Sequence, residues 1–101
     1  MSLKKQYNET KPVCKVTFKL ANDITSNVSQ VNLAGDFNNW DIESTPMKKL
    51  KGGEFSVSID LKKDREYQFK YLIDGRIWQN EPDADKQVQN EFKSENSVVI
   101  V

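Results

Sequence analysis

Apolar and polar residues alternate along much of this chain. Within residues 12–20, Cys14, Val16, Phe18 and Leu20 share one face of an extended segment. Within residues 53–61, Phe55, Val57, Ile59 and Leu61 alternate with Glu54, Ser56, Ser58 and Asp60. Within residues 65–74, Tyr67, Phe69, Tyr71 and Ile73 alternate with Glu66, Gln68, Lys70 and, less regularly, Leu72. Successive side chains of a strand point to opposite faces, so a period of two marks half-buried strands. Residues 28–35 and 97–101 predict two more strands, and residues 47–50 are a candidate for a short one. Gly52-Gly53 and Asp74-Gly75 read as hairpin turns, since these pairs accept positive φ; the second leads into a short strand near Trp78. Pro46 and Pro82 fall in loops, and no segment carries sustained helical periodicity. Short strands separated by frequent turn signals predict an all-β fold, a sandwich whose two sheets pack apolar faces into one core.

The chain has 101 residues, enough for one domain and too few to enclose a large cavity. A ligand site is therefore expected to be a surface groove or platform. Residues 1–11 read as an N-terminal extension, with Met1, Ser2 and Leu3 as candidates for a cloning remnant, and residues 12–101 as the sandwich. Lysine plus arginine balances aspartate plus glutamate at 15 each. That balance argues against a basic field for nucleic acid and against a polybasic membrane patch. No stretch reaches the length of a membrane span. Cys14 is the only cysteine, so no internal disulfide forms, and the N-terminus lacks the apolar core of a secretory signal. Together these favour the cytoplasm. There is no histidine, which removes the commonest general base and the commonest zinc ligand. Neither cofactor nor metal is expected.

Some aromatics and polar groups remain once the core faces are assigned. Trp40 ends the run Gly35-Asp36-Phe37-Asn38-Asn39, and Trp78 follows the Asp74-Gly75 turn. Lys70 lies on the polar face of its strand, and Ser94 and Asn96 precede the last strand. An indole offers a broad apolar face and one N–H, on which the C–H face of a pyranose packs. Amide and ammonium groups beside it can hydrogen-bond sugar hydroxyls. This set suits an exposed carbohydrate platform. Plainer readings stand beside it. From local sequence, Trp40 also reads as a loop residue covering the core, and Trp78 as hairpin packing. Lys70 also reads as a solvated lysine, and Asn96 as a turn cap.

The run VNLAGDFNNWD resembles the signature of carbohydrate-binding module family 48, the isoamylase N-terminal or glycogen-binding type of domain. Such domains occur in glycogen branching and debranching enzymes and in the beta subunits of AMP-activated protein kinase. PMKKLKGGEFSVSIDL, REYQFKYLIDGRIWQNEPDAD and NEFKSENSVVIV resemble later segments of that family, in the same order. The likeness covers residues 13–101 and implies an immunoglobulin-like, early-set β-sandwich. It also implies binding of α-1,4-linked glucan by Trp40, Lys70, Trp78 and Asn96, with Phe92 in the place of an apolar residue that touches the sugar and Ser94 in that of the hydroxyl residue beside it. One departure concerns GRIW, which has one more residue between Gly75 and Trp78 than the kinase-type GQW. In a strand, one residue turns a side chain to the opposite face. Trp78 would then point away from Trp40 unless a bulge or altered turn restores it, and Ile77 would take its place.

Three functions compete at this stage. A non-catalytic glucan-binding module predicts exposed tryptophans with Lys70 and Asn96 converging beside them, and weak affinity from a shallow site. An accessory domain, docked on a glycogen-metabolising enzyme or a kinase subunit with vestigial sugar binding, predicts an apolar patch away from Trp40. A glycosidase needs two carboxylates across a cleft. Asp36, Asp41, Asp74, Glu81, Asp83 and Asp85 are the loop candidates, and turn chemistry or solvation is the plainer account of each.

Overall fold

The structure, a computed structural model, describes residues 3–21, 27–91 and 94–101. Nine strands run β1 (Leu3–Tyr7), β2 (Val13–Leu20), β3 (Val31–Gly35), β4 (Lys48–Lys49), β5 (Phe55–Lys62), β6 (Glu66–Ile73), β7 (Ile77–Gln79), β8 (Lys86–Gln89) and β9 (Glu95–Ile100). They form an antiparallel four-stranded sheet, ordered β1-β2-β5-β4, and a five-stranded sheet, ordered β3-β6-β9-β8, with β7 paired to β6. This is the all-β sandwich that the alternation predicts. Among the described residues no helix is long and apolar enough to cross a membrane.

The inward faces are the ones read from the pattern. Cys14, Val16, Phe18 and Leu20 of β2 meet Leu61, Ile59, Val57 and Phe55 of β5 in register. Phe69, Tyr71 and Ile73 of β6 close the core from the second sheet. Phe69 sits between two aromatic neighbours, with ring centroids 5.0 Å from Phe18 and 5.8 Å from Tyr71, both edge-to-face. Each such pair adds about 1 kcal/mol beyond its buried area. Val57 and Ile59 are only partly buried against this cluster.

Four boundaries differ from the sequence reading, each for a local reason. Residues 1–11 read as an extension, yet Leu3–Tyr7 pairs with β2 along its whole length and Leu3 is buried in the core. One apolar anchor in LKKQY is too little for a period of two to show. β8, with the sequence KQVQ, is a polar edge strand with the same problem. β3 starts at Val31 rather than Val28. β9 starts at Glu95, so Asn96 is a strand residue and not a turn cap.

One observation on the second sheet leads to the site. Ala34, Leu72 and Val98 point away from the core by alternation and are absent from its cluster, yet all three are buried. The outer face of this sheet is therefore covered by its own loops and side chains.

Candidate functional site

The run Gly35-Asp36-Phe37-Asn38-Asn39-Trp40 is a loop in which each residue has a distinct task. Gly35 ends β3 against β6 with no room for a side chain. A Cβ there would stand 2.5 Å from the Gln68 carbonyl oxygen and 2.8 Å from the Phe69 Cβ. Asp36–Asn38 form a single 3-10 turn. The Asp36 carboxylate accepts the Gln68 backbone N–H at 2.8 Å and the Trp40 indole N–H at 3.0 Å. Phe37 turns its ring toward Phe18 and Tyr67, with centroids at 5.8 and 6.2 Å. The Asn38 amide donates to the Leu33 carbonyl and to Thr45 Oγ1, and its oxygen accepts the Gly35 N–H. Asn39 and Trp40 then take left-handed conformations, with φ of 57° and 58°. Asparagine tolerates that region, whereas a tryptophan there costs about 1–2 kcal/mol. The Trp40 N–H returns to the Gly35 carbonyl at 2.8 Å, which closes the loop. Trp40 is thus half-buried on the loop, and it does not belong to the core cluster.

Trp78 arrives from the hairpin β6–β7. Asp74 and Gly75 both have positive φ, and the Arg76 N–H donates to the Ile73 carbonyl at 3.1 Å. This is the turn that suits the twist of antiparallel strands. Pairing resumes at Ile73↔Ile77, followed by Leu72↔Trp78. The additional residue of GRIW is therefore Arg76, taken up in the loop before the strand begins. No face is inverted. Directly paired residues share a face, so Trp78 lies with Leu72, Lys70 and Gln68 on the outer side, 46% exposed. Ile77 takes the other face.

Trp40, Lys70, Trp78, Ser94 and Asn96 line a single groove of about 740 Å³ on that outer face. Phe92 lies outside the described residues. Gln68, Asn80, Asn90 and Glu91 also line the groove and were not among the residues singled out by sequence. Gln68 was within reach of the sequence pattern, being two positions before Lys70 on the same strand face. Asn80, Asn90 and Glu91 carry no such signal, because loop and strand-end geometry brings them in.

The polar side chains of the groove are joined to one another. Lys70 Nζ donates to Ser94 Oγ at 3.1 Å, and the Ser94 N–H donates to Asn90 Oδ1 at 3.2 Å. Asn90 Nδ2 donates to Asn96 Oδ1, and Asn96 Nδ2 to Gln68 Oε1, both at 3.0 Å. A second network lies beneath the β7 end. Glu81 is fully buried, accepting the Tyr71 hydroxyl at 2.6 Å and the Asp83 N–H at 2.8 Å. The Glu81 N–H donates to Ser97 Oγ, which donates in turn to Asn80 Oδ1. Burial, followed by repulsion from the Glu81 carboxylate, pushes the Tyr71 phenol well above the ordinary tyrosine range. The phenol therefore stays a donor.

Carboxylates read from sequence as loop candidates are engaged in structure. Asp41 accepts the Glu43 N–H, Asp74 the Ser29 and Gln30 N–H groups, and Asp85 the Ile100 N–H and Lys5 Nζ. Among the described residues no cluster of three His, Cys, Asp or Glu could hold a metal ion.

The family described as the glycogen recognition site of AMP-activated protein kinase matches residues 18–101. The match spans most of the chain, and the protein belongs to that family of carbohydrate-binding modules. Comparison with curated proteins gives no match.

Proposed function

We propose that the chain is a non-catalytic module that binds α-1,4-linked glucan (glycogen, starch or maltodextrin) in the groove on the second sheet. The observation that carries this reading is the convergence of Trp40 and Trp78 with Lys70, Ser94 and Asn96 around one opening. The indole faces supply the apolar surface on which pyranose rings stack, and the ammonium and amide groups supply hydrogen bonds to hydroxyls. Phe92 belongs to the same proposal through the family likeness. The groove lies within the size range of small-ligand sites and is open, so affinity is weak, in the micromolar to millimolar range.

A binding role is favoured over hydrolysis by the employment of the carboxylates. Glu91 is the one described carboxylate that lines the groove, where hydrolysis needs a pair, while Asp36, Asp41, Asp74 and Asp85 each accept backbone N–H groups and Glu81 is sealed beneath the sheet. A general acid must instead reach the scissile oxygen. A glycogen-metabolising enzyme or a kinase subunit is the partner class proposed to read the binding event, and the cytoplasm is the compartment that a lone buried thiol suits. Titration with maltoheptaose, followed by tryptophan fluorescence, tests the reading. A saturable change in the wild type that is lost in Trp40→Ala is expected. No saturable response in the wild type would sink it.

A further inference from the structure

We infer that Gln68 is a further sugar-contacting residue, which donates a side-chain N–H to a glucan oxygen from the wall between Trp40 and Asn96. The inference rests on the glucan-binding reading above. It starts from the direction of the hydrogen bonds along that wall. Asn90 gives its amide N–H to the oxygen of Asn96, and Asn96 gives its own to the oxygen of Gln68. The relay runs one way and ends on Gln68. With Oε1 committed to Asn96, the free end of the Gln68 amide is Nε2.

No described residue accepts from Gln68 Nε2. Among the described residues no buried side-chain nitrogen or oxygen lacks a hydrogen-bond partner. An Nε2 without a protein partner is therefore not sealed from solvent, and Gln68, half-buried, lines the groove. Lys70, two residues on, shares this strand face and keeps donor capacity beyond its bond to Ser94. Gln68 and Lys70 thus present donors side by side, which suits the lone pairs of sugar hydroxyl and ring oxygens.

Gln68 is also held in place from the side of Trp40. Its backbone N–H binds the same Asp36 carboxylate that receives the Trp40 indole N–H. One residue therefore connects the stacking ring with the amide relay, and its donor is fixed before ligand arrives. A fixed donor loses little side-chain entropy on binding.

The test compares wild type, Gln68→Glu and Gln68→Met. Glutamate keeps an oxygen for the Asn96 amide and removes the donor; methionine removes both. Calorimetric titration with maltoheptaose should show about ten-fold weaker binding for Gln68→Glu, the loss of one hydrogen bond with an unpaired sugar oxygen left behind. Its melting temperature should stay within about 3 °C of wild type. In the wild type, the Gln68 Nε2 proton signals, assigned by their loss in Gln68→Met, should move on saturation. These signals decide the matter even where a variant folds poorly. Unmoved signals in a wild type that binds overturn direct contact, whatever the variants do. Equal affinity of wild type and Gln68→Glu overturns it as well. A wild type that fails to bind overturns the glucan reading itself.

Discussion

Removal of the Asp36 carboxylate should release Trp40 while leaving the sandwich folded. Asp36→Ala deletes two acceptors, one for the Gln68 backbone N–H at 2.8 Å and one for the Trp40 indole N–H at 3.0 Å. A hydrogen bond to a charged group contributes about 1.5–3 kcal/mol where water is excluded. Asp36 is exposed, so water replaces much of each bond, and about 1–2 kcal/mol in total is the reasonable loss. For a domain of this size that lowers the melting temperature by about 5–10 °C.

The effect on binding has a separate origin. Trp40 sits in a left-handed conformation that its side chain disfavours, and the Asp36 bond is one of the contacts that keep it there. A freed indole must be immobilised again by ligand, at about 0.5–1.5 kcal/mol, or about two- to twelve-fold in Kd. Differential scanning calorimetry reads the first effect and maltoheptaose titration the second. Acrylamide quenching in a Trp78→Phe background reads the mobility of Trp40 directly. Asp36→Asn, which keeps one oxygen, should fall between. If Asp36→Ala melts within about 1 °C of wild type and Trp40 is quenched no faster, the clamp has no role and the reasoning is refuted.

Four further outcomes can be stated. Gly35→Ala should cost about 2–3 kcal/mol by thermal melt, because two of its three nearest clashes are with the Gln68 carbonyl and the Phe69 Cβ rather than a flexible side-chain end. Deletion of Arg76 should leave the hairpin register and maltoheptaose affinity within about three-fold of wild type, since Asp74-Gly75 alone makes a two-residue turn; loss of binding would mean that Arg76 sets the direction of Trp78. The Tyr71 phenol is raised in the folded state, so its contribution is intact below the unfolded value of about pH 10 and is lost above it, as the unfolded chain ionises first. Urea unfolding of Tyr71→Phe should accordingly show a decline between about pH 10 and 11.5 that is shallower by about 1–2 kcal/mol, and parallel declines would contradict this. Glu81→Ala should cost about 3 kcal/mol or more and disorder Trp78, read as a loss of near-ultraviolet dichroism, because it strands the Tyr71 hydroxyl and the Asp83 N–H.

What the sequence made legible follows where side-chain period decides the outcome. β2, β5 and β6 each turn one apolar face to the core over eight residues, and the alternation announces them. β1 and β8 bury too little for any period to appear, because pairing of backbone groups rather than apolar burial defines an edge strand. The placement of Trp78 shows the limit from another direction. A face inversion follows an added residue only when that residue lies inside a strand, and whether Arg76 lies in the strand or the loop is set by the positive φ of Asp74 and Gly75. Trp40 shows a third case. Its loop sequence fits a residue that covers the core, but Phe37 takes that task, and Asn39 and Trp40 then reverse the chain so that the indole stays half-buried outside the core cluster. Asp36 was visible as a carboxylate, yet its bond to Trp40 depends on the 3-10 turn between them, which no local pattern specified.

The two tryptophans are held by unlike means, and the difference accounts for the buried carboxylate. Trp40 hangs on a loop that folds on itself, so short-range bonds from Asp36 and Asn38 suffice. Trp78 sits on a strand of three residues that pairs only with β6 among the described residues. A strand that short has little stability of its own. The chain just beyond it enters the sandwich at Glu81, where burial of a carboxylate would cost several kcal/mol if its oxygens were unmet. They are met by Tyr71 of β6 and the Asp83 N–H, while the Glu81 N–H reaches Ser97 of β9 and the Glu81 carbonyl accepts from Gln87 of β8. One residue thus ties the segment after β7 to three neighbouring strands. An apolar residue at that position could fill the space, but it could not meet the hydroxyl and backbone N–H groups that converge there. Glu81 is best understood as the anchor that keeps β7, and with it Trp78, against the sheet.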